Sequence, residues 1–192
     1  MAELTPEILE FHKKRTDAHI AGVNYFAGLV GARFPDHDAD KSAAPLLEPY
    51  ALKNYANYHP DFPWTDSDEA AFDRARRAHH AAAAHHPESY AAATDMPDDR
   101  ITEMLCDWSA ANKEQLLIRN VREYIDVADF FAREALPEHR FSAGQSRLIV
   151  SLMADMVSRF DEGKFLSIWE GIGGQRPAPG PIRTPSPFQA IW

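Results

Sequence analysis

Residues 69–84 read EAAFDRARRAHHAAAA, and this stretch decides the class of fold. Alanine has the highest helix propensity, arginine loses little rotamer freedom in a helix, and no β-branched residue interrupts the run. Asp66 or Ser67 offers a cap at its N-terminal side. His86 precedes Pro87, which biases it away from helical geometry, so the helix is expected to end at that point. Were the helix to persist, His79 and His86 would share one face while His80 and His85 would not.

The helical pattern extends in both directions. On the N-terminal side Thr5-Pro6-Glu7 combines a hydroxyl cap, a proline at the first position and an acid in the first turn. Ile8, Phe11, His12, His19, Val23, Phe26 and Val30 follow at helical spacing, which predicts a helix to about Arg33, stopped by Pro35. A second helical stretch includes Leu46, Leu47, Tyr50 and Tyr55, and HPDFPWTDSDE at 59–69 reads as a loop. Beyond the histidine stretch, Pro97-Asp98-Asp99 opens a helix containing RITEMLCDWSAANKEQ, with Asp107 inside it. Val121–Ala135 and Gln145–Phe160 are two further helical segments separated by Pro137. Period-two alternation of β-branched residues is missing, so the expected class is all-α. Residues 1–170 are read as one helical domain and 171–192, GIGGQRPAPGPIRTPSPFQAIW, as an extended proline-rich C-terminal tail.

The totals narrow the function classes. A chain of 192 residues with 45% hydrophobic and 26% charged residues suits one soluble globular domain. A single cysteine, Cys106, rules out an internal disulfide and suggests a reducing compartment. No apolar leader follows Met1 and no apolar run approaches the roughly 20 residues that cross a bilayer. A cytoplasmic protein without a membrane segment is therefore expected. The formal charge of −9 argues against general nucleic-acid binding, which needs a basic surface. A small anionic substrate remains compatible, because a bound divalent ion inverts the local field.

Seven of the nine histidines fall between His19 and His86. His19 comes first, then the adjacent pair His37-Asp38, then His79, His80, His85 and His86, and finally Asp107. Imidazole and carboxylate together form a ligand set for Zn, Fe, Mn or Ni. Each residue also has an ordinary reading. His19 alone would be a partly buried polar residue, His37-Asp38 a helix cap, and the four clustered histidines a solvated alanine-histidine helix. Asp107 is harder to explain that way, since a carboxylate among Met104, Leu105, Cys106 and Trp108 is costly to bury without a cation. His12 is flanked by Lys13 and Lys14 and is expected to face solvent, as are His59 and His139. Arg74, Arg76 and Arg77 either steer an anion or form one solvated face.

The order of histidine, His-Asp, histidines and a late aspartate resembles the HD-domain superfamily of metal-dependent hydrolases. HIAGV at 19–23 looks like that family's first metal helix, HDADK at 37–41 is similar to the HDxxK form of its signature, and EMLCDW at 103–108 supplies the closing aspartate. The pattern H-x5-HHPE at 79–88 is most similar to a family of small HD-like proteins without an assigned function. The resemblance covers roughly residues 12–115. It implies an HD-domain-like helical bundle with His19, His37, Asp38, His79, His85, His86 and Asp107 as metal ligands. His80 is then left as a supporting or solvent-facing residue. The extra histidines resemble the dinuclear members, which implies two divalent ions, and Lys41 would sit beside the substrate phosphate unless it simply pairs with Asp40.

The function so implied is a phosphohydrolase acting on a small phosphoester such as a nucleotide through a metal-activated water, with Asp38 and Lys41 as the catalytic pair. An HD-type di-iron oxygenase is the second expectation, since a mixed nitrogen-oxygen set does not fix the metal. The third is a non-catalytic, metal-stabilised interaction protein. Phe188, Ile191 and Trp192 on the tail would serve such docking, including homo-oligomer formation.

Overall fold

The computed structural model describes residues 2–121, 124 and 126–172. All regular structure among them is helical, as the composition predicts. Helix α1 spans Pro6–Leu29, α2 Leu47–Tyr58, α3 Asp66–Ala82 and α4 Asp98–Lys113. A wide π-type turn, Glu114–Ile118, continues α4. Then come α5, Val127–Phe130, a second π-type segment, Phe131–Ala135, and the single turn α6, Leu136–Glu138. Helices α7, Ala143–Arg159, and α8, Glu162–Ile168, complete the described chain.

Several boundaries differ from the sequence reading, each for a local reason. Thr5 caps α1 as expected, but the helix stops at Leu29 rather than near Arg33, because Gly31 takes a left-handed φ of 75°. Thr65, not Asp66 or Ser67, caps α3 in a reciprocal capping box with Asp68. That helix ends at Ala82, before the second histidine pair, so Ala83 to His86 leave helical geometry earlier than Pro87 alone required. In the segment predicted from Val121, α5 begins at Val127 behind an Asp126 cap, and Pro137 lies inside α6 instead of between helices. Helix α8 had not been expected. The tail lies outside the described residues from 173 onward, and with it the docking role of Phe188, Ile191 and Trp192. No described helix is long and apolar enough to cross a membrane.

Helix α4 is the central element. Ile101 and every residue from Glu103 to Asn112 are buried, so it is enclosed on all sides rather than amphipathic. It packs most extensively on α1 and also on α7, while α1 packs on α2, and α2 on α3. Val23 and Phe26 of α1, Leu105 of α4, Ile149 and Met156 of α7 and Phe165 of α8 form the main apolar core. Gly22 lies on the α1–α4 seam beside α8: a methyl there would press on the Phe165 ring at 3.3 Å and rest in ordinary contact with Ala110 Cβ at 3.5 Å. His19 and Asp107 stand three residues earlier on the same two helices and therefore meet across the same seam.

Candidate metal centre

The HD pair is placed by α1. Asn24 accepts from Phe34 N–H at 2.8 Å and donates to Phe34 C=O at 2.9 Å, so the chain leaving α1 is pinned back against it. His37 and Asp38 follow in a tight turn, with Asp38 at φ 59° and ψ 17°. Aspartate is among the few residues that take this left-handed conformation without excessive strain. The short 3-10 turn Ala39–Ser42 then carries Lys41 back, and its ammonium donates to Asp38 Oδ2 at 2.6 Å.

Asp38 lies between two groups of side chains. Its Oδ2 faces His19 Nε2 at 3.6 Å and His37 Nε2 at 3.5 Å. Asp107 Oδ1 closes that group, 3.0 Å from His19 Nε2 and 3.4 Å from His37 Nε2. Asp38 Oδ1 faces the other way, 3.2 Å from His79 Nε2 and 3.7 Å from His85 Nε2. Two ligand atoms that share an ion with bonds of about 2.1 Å stand roughly 3–3.5 Å apart, so these separations suit shared coordination. Ligand atoms of His79, His85 and His86 also lie within 4.8 Å of one another, as do those of His19, His37 and Asp107. All seven residues that the HD resemblance implied as ligands are buried in this one region.

The opposite nitrogens of the histidines are held by an outer ring of carboxylates. His37 Nδ1 donates to Glu103 at 3.1 Å, and His79 Nδ1 donates to Asp40 at 2.7 Å. His85 Nδ1 is 3.6 Å from Glu103, and His19 Nδ1 is 3.8 Å from Glu114. Such a carboxylate fixes the tautomer and leaves a lone pair on Nε2, the arrangement typical of metal-ligating histidine. Among the described residues, the Nε2 atoms of His79, His85 and His86 are buried with no hydrogen-bond partner, and so is Asp38 Oδ1. Buried acceptors without donors are costly, and a cation relieves several at once. The donor set therefore fits divalent metal ions.

The electrostatics agree. Burial opposes ionisation of both Asp38 and Asp107. Lys41 and His37 outweigh it at Asp38, and hydrogen bonds from His19 and His37 outweigh it at Asp107, so both carboxyls sit well below the usual range. At His37 burial is overcome by Asp38, Asp107 and Glu103, and the imidazole is lifted to about 10. In the metal-free protein a proton on His37 thus supplies part of the positive charge these carboxylates need. His85 is instead pushed down to about 4, mainly by burial, and burial holds His86 low as well. These two remain neutral and ready to ligate.

Other residues depart from the sequence reading. His12 is buried, not solvent-facing: its Nδ1 accepts from Asn54 Nδ2 at 2.9 Å, and it packs beneath the Lys41 turn. His59 stacks on Tyr55 with ring centroids 3.7 Å apart. Lys41 pairs with Asp38 and not with Asp40, which accepts from His79 instead. Arg74 and Arg77 are exposed on α3, and Arg76 approaches Asp73 at 3.5 Å. Sequence reasoning missed Glu103 and Glu114. Their signal was spacing: positions 103, 107 and 114 fall on one stripe of a single helix, at four and seven residues from Asp107. Arg15 forks onto Glu114, donating from Nε at 2.9 Å and from Nη2, and Tyr58 OH donates to the same carboxylate at 2.9 Å.

Fold and site together define an all-helical protein with buried His/Asp clusters capable of holding divalent metal ions. Residues 9–152 match the model of a family of unknown function, DUF5662, and the chain belongs to that family. Neither a curated protein nor a solved structure matches it.

Proposed function

We propose that this protein is an HD-type metal-dependent phosphohydrolase acting on a small phosphoester, with a nucleotide as the leading substrate class. One observation carries the reading: Asp38 presents Oδ2 to the His19/His37/Asp107 group and Oδ1 to the His79/His85 group. A carboxylate placed in this way suits two divalent ions. Its neighbours lie on α1, the HD turn, α3 with its following loop, and α4, an order that resembles the ligand order of HD-domain proteins. Bound ions would supply an acidified water and a clamp for phosphate oxygens.

The chain's own residues have distinct tasks. Asp38 is kept ionised by Lys41, so it can serve as a bridging acceptor at neutral pH. Lys41 has three donors, of which the Asp38 bond uses one, and a phosphate oxygen can take another. Its ammonium also lies 4.9 Å from the Tyr50 ring centre, which restricts its position. Glu103 and Asp40 keep His37 and His79 in the Nδ1–H tautomer. The test is release of phosphate or nucleoside monophosphate from a broad phosphoester panel by Mn-, Fe-, Zn- or Ni-loaded protein. Lys41→Ala should lower turnover while leaving the metal content unchanged. Silence across the panel with both ions confirmed present overturns the reading.

A second reading is a di-iron oxygenase, favoured by the nitrogen-rich group of His79, His85 and His86. Oxygen consumption by iron-loaded protein that vanishes with zinc would select it.

A further inference from the structure

We propose that His80 and His86 hold a separate, outer divalent cation, with Glu88 fixing His80 for that task. The proposal rests on the metal-centre reading above and extends it from two ions to three. The stretch AHHAAAAHHPE contains two histidine pairs. The first member of each pair, His79 and His85, directs Nε2 at Asp38 Oδ1. Among the described residues, the second members make no such approach. His80 instead has Glu88 as its carboxylate partner, with Nδ1 to Oε1 at 3.1 Å.

Three observations put His80 and His86 together. Their ring centroids are 4.0 Å apart with planes 14° from parallel, closer than His86 comes to His85 at 4.3 Å or to His79 at 4.9 Å. Both Nε2 atoms are buried and have no hydrogen-bond partner among the described residues. Ligand atoms of His80, His86 and Glu88 also fall within 4.8 Å of one another. An Nε2 lone pair binds one ion, so His86 serves either the Asp38 side or the His80 side. The shorter ring distance favours His80.

The chemistry of this outer position differs from that of the centre. Glu88 stabilises the Nδ1–H tautomer of His80 and leaves Nε2 as a donor to metal, the same device that Asp40 and Glu103 provide further in. The Glu88 side chain is 42% exposed, whereas that of Asp38 is 1% exposed. Water can therefore complete the outer coordination set. Two imidazoles select Zn(II), Ni(II), Co(II) or Cu(II) over Mg(II) and Ca(II), which prefer oxygen. Because the two rings are nearly parallel, capture requires His80, the more exposed ring, to rotate, and the exposed Glu88 carboxylate to move with it so that the Nδ1 bond is kept.

The experiment is a Zn(II) titration of chelator-stripped full-length protein against a chromophoric competitor, with metal content read in parallel. Wild type should bind three equivalents, the third about tenfold or more weakly than the others. His80→Ala and His86→Ala should each abolish the third and keep two. Glu88→Gln should weaken the third by about tenfold or more. In wild type, histidine ring resonances of His80 and His86 should shift only on the third equivalent, a readout that needs no variant. Unchanged binding in His80→Ala, or loss of a tight equivalent in His86→Ala, overturns the proposal. A wild type that stops at two equivalents also overturns it but leaves the Asp38 centre intact, and a wild type that binds none removes both.

Discussion

Gly22 and Ala110 face each other across the α1–α4 seam, where a methyl on Gly22 would rest in van der Waals contact with Ala110 Cβ at 3.5 Å. This contact between small residues sets the spacing at which His19 and Asp107, one helical turn earlier, stand 3.0 Å apart. A bulky residue at position 22 should therefore damage the centre without touching it. Gly22→Leu is expected to cost about 1–3 kcal/mol by overpacking against Phe165 and Ala110, and to weaken metal binding as well. For Gly22→Ala the gain in helix propensity, about 1 kcal/mol, offsets the 3.3 Å contact with Phe165. Urea unfolding and competitive metal titration of both variants would check this, and unaltered metal affinity in folded Gly22→Leu would refute it.

Asp38 and Asp107 differ in reach, so their variants should differ in metal content. Among the described histidines, Asp107 meets His19 and His37, while Asp38 also meets His79 and His85. Asp107→Asn is expected to reduce occupancy on one side, and Asp38→Asn on both. Elemental analysis after gel filtration distinguishes the two, and equal losses would show that Asp38 serves a single ion.

Glu103 accepts from His37 and from Arg100, and lies 3.6 Å from His85. Its replacement by Gln keeps the volume and removes the charge that fixes the His37 tautomer. A loss of about 10–100-fold in metal affinity is expected, with little change in the thermal unfolding of the metal-free protein. Glu114 should behave differently, because the half-buried Arg15 and Tyr58 lose their buried carboxylate partner when it goes. Glu114→Ala is expected to destabilise the metal-free fold by about 3–5 kcal/mol. Parallel unfolding and titration curves would separate the two carboxylates.

His12 predicts a pH effect of definite sign. Burial, only partly countered by the Lys41 backbone, lowers its pKa from 6.5 to about 4. The unfolded chain then takes up this proton before the folded one does. The stability contributed by the neutral ring is complete above pH 6.5 and is lost as pH falls from there towards 4. The slope in this window approaches about 1.4 kcal/mol per pH unit. In metal-free protein the stability gap between wild type and His12→Gln should narrow steadily over the same range. A gap independent of pH would show that His12 titrates normally.

The helices were legible from propensity and caps, because Thr5-Pro6, the alanine-rich run and Pro97-Asp98-Asp99 act locally. The ligand residues could be collected by order alone, yet their partition around Asp38 could not. Which oxygen faces which imidazole depends on α3 ending at Ala82, and that end is set by the turn through His85 and His86 rather than by Pro87. His12 was misread for a similar reason: its lysine neighbours point to solvent, but α2 brings Asn54 over the ring. The π-type segment that carries Phe131 inward has no periodic signature in the sequence.

The His19–Asp107 contact joins positions 88 residues apart. An ion seated there would act as a removable cross-link, tying the first helix to the central one across nearly half the chain. Closing so long a loop withdraws substantial freedom from the denatured ensemble. Supply of metal during synthesis would then bear on how much protein survives proteolysis, apart from any turnover it supports.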